Sequence, residues 1–138
     1  AARISRGIYR RAEELVQVEE VYSRYRKTLE LLRELPGCDE TVFQRTEAEV
    51  ASLYAEPAGF LEFLRLYYRD VLCCKSRGNS AALIFPGEEQ TLIRAAKALS
   101  YEQLGVILKE IETAEERLRL NVSKELTIEL LLLAIRRE

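Results

Sequence analysis

Histidine, methionine and tryptophan are absent from these 138 residues, and the missing histidine closes whole chemistries. Without an imidazole there is no Ser-His or Cys-His pair, because the base that would take the nucleophile's proton is not there. Nor can Cys38, Cys73 and Cys74 borrow a histidine to complete a zinc site. Adjacent Cys73 and Cys74 would point to different sides of a helix, so the thiols read as small apolar residues of a reducing, cytoplasmic setting. The absence of methionine, with an Ala-Ala start, leads us to expect a piece of a longer translation product, with further motifs outside it.

Glycine and proline are sparse, at six and three residues, and no GxxxxGK[ST] arrangement exists. That excludes a P-loop. A net charge of −2 argues against a domain built mainly to hold nucleic acid, while leaving room for a local basic face. No secretory leader stands out. The densest apolar stretch, Leu126 to Ile135, is too short for a bilayer, which needs about 20 residues. No membrane partner is expected. Asn121-Val122-Ser123 fits a glycosylation acceptor, but nothing else suggests secretion, and the match reads as chance.

What remains is 48% hydrophobic and 32% charged sequence arranged at helical spacing, with no alternating strand pattern. A domain of this size buries roughly 68–70% of its extended-chain surface. One helical segment is expected from Ile4 to about Gln17 and a second from Val18 to Leu35, with a bend near Gln17. Pro36-Gly37 stops the second. Asp39 suits the N-cap of a helix over Glu40 to Ala55, with Val42, Phe43, Val50, Leu53 and Tyr54 inward. Pro57 suits the first turn of the next, to Lys75. Its inward positions are Phe60, Phe63, Leu64, Tyr67, Val71 and Leu72, with Arg65, Arg69 and Asp70 toward the other side.

Ser76 to Pro86 reads as a loop whose Leu83, Ile84 and Phe85 tuck onto the core. A short helix follows from Glu88 to Leu99. Ser100 with Gln103 matches a capping box opening a helix over Tyr101 to Leu120, buried through Leu104, Ile107, Leu108, Ile111 and Leu118. Asn121 can leave that helix left-handed, and Ser123 can cap the last one. The expected fold is all-α, a single helical bundle of six or seven helices with short connections.

Two groups of side chains invite a chemical reading. Glu112, Glu115 and Glu116, with Glu110 nearby, share a helix face as magnesium ligands do in all-α nucleotide hydrolases. A second acidic pair would be needed, for which Glu13, Glu14, Glu19 and Glu20 are available. Arg117 and Arg119 are interleaved, which is the usual look of a solvated helix face. Arg24, Arg26 and Lys27, and separately Arg65, Arg69, Lys75 and Arg77, could form basic patches. Tyr22, Tyr25, Tyr67 and Tyr68 lie among them, as stacking residues do in single-strand binders. Tyrosines at this spacing in a helical protein are more often core or rim. We expect no catalytic residue, no metal and no cofactor.

The closing segment is the most informative. Between Leu126 and Ile135 only Thr127, Glu129 and Ala134 interrupt leucine and isoleucine. A helix facing one core needs an apolar stripe of about 100° or somewhat more. Here Leu126, Leu130 and Leu133 occupy one flank, while Ile128, Leu131, Leu132 and Ile135 populate the rest. Such a helix has to be surrounded, within the domain or by another subunit, and an assembly domain is the reading that follows.

The second half also resembles the C-terminal domain of the delta prime subunits of bacterial DNA polymerase III clamp loaders. The matching pieces are an aromatic-rich helix ending Tyr68-Arg69-Asp70-Val71-Leu72, a loop containing Asn79, and a Ser100-capped helix ending in Arg117 and Leu118. The last and most specific piece is Asn121-Val122-Ser123 leading into Glu125-Leu126 and the Leu130–Leu133 run. Together they cover about Phe60 to Ile135. Ser5-Arg6-Gly7-Ile8-Tyr9-Arg10-Arg11-Ala12 is similar to the sensor-2 stretch (Gly-x-x-Gly-Arg-Ala) that closes the lid of a clamp-loader AAA+ module. Arg11 would hold the family's arginine position, and Arg10 replaces its second glycine.

The resemblance implies that residues 1–17 end an AAA+ lid and 18–138 form a helical collar. In such loaders the collar is a ring of helical domains, one per subunit, that joins the subunits while AAA+ modules open the sliding clamp. The implied partners are the gamma/tau and delta subunits, with DNA reached only indirectly and no enzyme activity in this segment. A gamma/tau or delta collar is the nearest alternative; the magnesium-dependent hydrolase is a more distant one. Candidate interface residues are Arg69, Asp70, Asn121, Ile128, Leu131, Leu132 and Ile135.

Overall fold

A computed structural model describes the backbone of residues 2–77 and 89–137, and the side chains from residue 17 onward within those ranges. Leu83, Ile84 and Phe85, expected against the core, lie outside the described residues, as do Asn79 and the side chain of Arg11. Six helices make up the described residues: α1 Ala2–Glu34, α2 Glu40–Leu53, α3 Pro57–Arg77, α4 Glu89–Ala98, α5 Tyr101–Arg119 and α6 Lys124–Arg137. The chain is all-α. It divides into two compact units, residues 1–34 and residues 35–138.

The first unit is α1 alone, which continues without interruption through Gln17, where a bend was expected. Gly7 is its only glycine and it contains no proline, so no residue removes a backbone hydrogen bond near that point. Val18 and Tyr22 are exposed on it, and the Thr28 hydroxyl donates to the Arg24 carbonyl at 2.8 Å.

The boundaries in the second unit follow from local chemistry. Gly37 takes φ +68°, a left-handed conformation that a side chain would strain. Its amide donates to the Arg136 carbonyl at 3.0 Å, while Cys38 N–H closes a turn onto Leu35 at 3.1 Å. Asp39 caps α2, its carboxylate accepting from Val42 N–H at 2.9 Å. Tyr54, in extended conformation, ends α2 while its N–H still donates to Val50, and Pro57 opens α3, where its missing N–H costs nothing. At α5 the capping box is complete: Gln103 N–H donates to Ser100 Oγ at 3.0 Å, and Ser100 N–H to Gln103 Oε1 at 2.8 Å.

Between α5 and α6 the chain turns on Asn121, whose φ is 59°. Val122 N–H reaches back to Arg117 O and Asn121 N–H to Leu118 O, the paired bonds of a Schellman ending. Ser123 Oγ then accepts from Leu126 N–H at 3.3 Å.

Within this unit α3 packs on both α4 and α5, α5 on α6, and α6 on α2. Phe60, Leu64 and Val71 of α3 are wholly enclosed, as are Leu104 of α5 and Leu131 and Leu132 of α6. Each such side chain contributes about 1.5–3 kcal/mol by leaving water. Because α3 has neighbours on two sides, its buried arc is wider than one stripe. Leu61, Tyr68 and Cys74 are buried along with the expected residues, and so is Asp70, which was expected toward the solvent side. Leu72 is only half-buried, as are Val42, Leu53, Leu108 and Leu118 on their helices. Aromatic rings fill the α3 interior: Phe63 stacks on Tyr67 at 6.1 Å, Tyr67 meets Tyr68 edge-on at 5.0 Å, and Phe60 lies 5.3 Å from Tyr54.

Candidate functional site

The glutamates proposed from sequence as magnesium ligands each sit beside a cation instead. Glu112 lies 3.5 Å from Lys109, Glu115 lies 3.3 Å from Arg65, and Glu116 pairs with Arg119. Among the described residues no group of three or more acidic, cysteine or histidine side chains could hold a metal ion. The face is a solvated ion-pair surface, and exposed pairs of this kind contribute about 0–1 kcal/mol each.

Two of the four cations of the α3 basic patch, Arg65 and Lys75, are likewise tied into the fold, while Arg69 and Arg77 are exposed. Lys75 donates to the Ala96 carbonyl at 3.1 Å and lies 5.1 Å from the Tyr101 ring centre, while Arg65 is held by Glu115. Tyr67 and Tyr68 are buried, so neither ring is free to stack on a base. Burial also pushes the Tyr68 phenol well above its ordinary pKa, with Tyr67 adding to the effect, so it stays neutral. Cys38, Cys73 and Cys74 are free thiols.

The seven candidate interface residues do not form one surface. Leu131, Leu132 and Ile135 are 0%, 0% and 2% exposed, enclosed by their own chain, and offer a partner no accessible surface. The reason is the double contact of α6 with α5 and α2, which consumes more of its circumference than one stripe. Asp70 is interior for the corresponding reason on α3. Arg69 and Asn121 are exposed, the latter committed to the α5–α6 turn. The apolar surface that α6 leaves outside its core is Leu126, 45% exposed, with Leu130, Leu133 and Ile128 half-buried. Thr127, on the buried face with Leu131 and Ala134, satisfies its hydroxyl by donating to Ser123 O at 2.8 Å.

Two concave places among the described residues hold candidates: a hollow of about 430 Å³ lined by the Arg65–Glu115 pair with Leu61 and Leu118, and a larger groove that Ile128 belongs to. The groove, of about 600 Å³, runs between α2 and the first turns of α3 and α6. Its walls are Ala48, Ala51 and Ala55 from α2 and its end, Pro57 and Phe60 from α3, and Ile128 from α6, with Tyr54 between. Gln44, Glu47, Lys124 and Glu125 carry the polar edge. Lys124 is engaged by Glu56 at 3.1 Å, while at the other end of α6 Arg136 pairs with Glu40 at 3.2 Å and lies 5.1 Å over the Phe43 ring. Glu47 has its carboxyl pKa raised, first by partial burial, then by the charges of Glu129 and Glu40.

Sequence reading found Ile128 but missed the rest of this groove. The available signal was the alanine series Ala48, Ala51 and Ala55, on α2 and just past its end, which leaves a face too low to meet α6 along its length.

Comparison with protein-family models, with curated proteins and with solved structures finds no match for the chain. No helix among the described residues is long and apolar enough to cross a membrane. The molecule is thus defined by its architecture, an all-α chain of six described helices with a largely apolar groove on its second unit.

Proposed function

We propose that the chain is an assembly module: the helical collar domain of a delta prime-like subunit of a DNA polymerase III clamp loader, the machine that places the sliding clamp on primed DNA. The observation that carries this reading is the stretch of resemblance from Phe60 to Ile135. Its most specific piece, Asn121-Val122-Ser123 before the leucine run, coincides with the α5–α6 turn. Leu126, Ile128, Leu130 and Leu133 add support, because they leave apolar surface on α6 after the core is filled. Permanent interfaces of this kind bury about 2,000 Å² or more and need such surface.

In this reading the module works in the cytoplasm, joins gamma/tau and delta subunits, meets DNA only through the assembled loader and carries no catalysis of its own. Native mass spectrometry of the full chain mixed with those subunits tests it. The expected result is a stoichiometric complex that disappears when Leu126 and Leu133 are both changed to Asp, with helical circular dichroism retained. No complex at micromolar concentration overturns the proposal.

A further inference from the structure

We infer that the groove between α2, α3 and α6 is a docking site for a basic amphipathic helix of another protein. The inference does not rest on the collar reading, although the two share α6 and the side chain of Ile128. The first ground is shape with chemistry. The groove falls within the range of about 300–1,000 Å³ typical of ligand clefts, yet it lacks the convergent polar groups that orient a small molecule. Its walls are mainly alanine, valine, proline, isoleucine and aromatic carbon, while its charged and amide lining residues are exposed, or half-buried in the case of Glu47. That is the layout that receives apolar side chains repeating at helical spacing while their polar neighbours stay at the rim.

The second ground is charge, which selects the sign of the occupant. Glu47 and Glu125 line the edge, and Glu40, Glu56 and Glu129 lie close enough to touch or to repel members of it. Lys124, the one cation among the lining residues, is paired with Glu56. The ionised form of Glu47, at the half-buried part of that edge, is disfavoured first by burial and then by the charges of Glu129 and Glu40. An arriving lysine or arginine relieves that repulsion, whereas nucleic acid or an anionic lipid surface would increase it. The occupant is therefore a helix with an apolar stripe and basic flanks.

The test uses the full chain alone, so that its outcome does not depend on loader subunits. Two labelled synthetic peptides share leucines at three- and four-residue spacing, one with lysines on the flanks and the other with glutamates. Fluorescence anisotropy at low salt is expected to show the lysine peptide binding at least about tenfold more tightly, with the advantage shrinking as salt screens the rim. Ala51→Arg, at an exposed position inside the groove, should abolish binding. Glu125→Lys, at an exposed rim position, should weaken it even if the first variant misfolds.

Equal binding of the two peptides overturns the inference, as does binding that survives both substitutions or no binding of either peptide. Self-association of the chain in sedimentation, lost on Ala51→Arg, would instead assign the groove to a second copy and overturn it equally.

Discussion

Replacing Leu131 and Leu126 separately by Ala divides the closing helix into its inner and outer halves. Leu131 is 0% exposed and Leu126 45% exposed, although they lie five positions apart on α6. Leu→Ala removes three carbons, each worth about 0.8 kcal/mol when fully withdrawn from water. For Leu131 the transfer loss is therefore about 2.4 kcal/mol. The hole left between α5, α6 and α2 adds to it, for an expected total of about 3 kcal/mol within the 2–5 range of buried leucines. At Leu126 nearly half the side chain is already in water and nothing must collapse around it, so the expected loss is about 1 kcal/mol or less.

Urea titration of each full-length variant, followed by far-ultraviolet circular dichroism, reads both values from the shift in midpoint at unchanged slope. The reasoning is refuted if Leu131→Ala costs less than about 1 kcal/mol, or if the two substitutions cost the same.

Two further outcomes probe the turn and the groove. Asn121→Gly should leave the melting temperature nearly unchanged, whereas Asn121→Val should cost about 1–2 kcal/mol, since φ 59° places a β-branched side chain in the left-handed region; thermal denaturation of both variants checks this. The native pKa of Glu47 lies above its unfolded one, so the native state binds more protons in that window and stability falls as pH rises through it. Glu47→Gln should therefore be at least as stable as the parent at neutral pH, with the difference closing as pH drops below the unfolded carboxylate value. A variant less stable than the parent at neutral pH would contradict that sign.

The caps and turns were legible because each is decided within a few residues. Asp39, Ser100 with Gln103, Asn121 and Ser123 needed only their neighbours to declare a helix end, and the geometry at each is the expected one. The faces of α3 and α6 were harder. Periodicity says how much of a helix is apolar, but not how many neighbours it has. Asp70 was placed toward the solvent side, and Leu131 was named an interface candidate on a helix that its own domain or a partner had to surround; packing on two sides draws both inside. The groove was less legible still. It arises where α2 fails to close on α6, a property of two segments some eighty residues apart, and alanines give a single sequence little to show.

The bond from Gly37 to the Arg136 carbonyl brings the first and last turns of the second unit together. Polypeptide thus enters and leaves this body of five described helices at one corner, as a ribbon is tied at the neck of a parcel. A body tethered at one corner can be carried by whatever precedes Leu35 without its packing being pulled from two directions. The same closeness would let a short bridge from Arg137 to Leu35 seal the body into a ring, with new termini opened elsewhere on its surface.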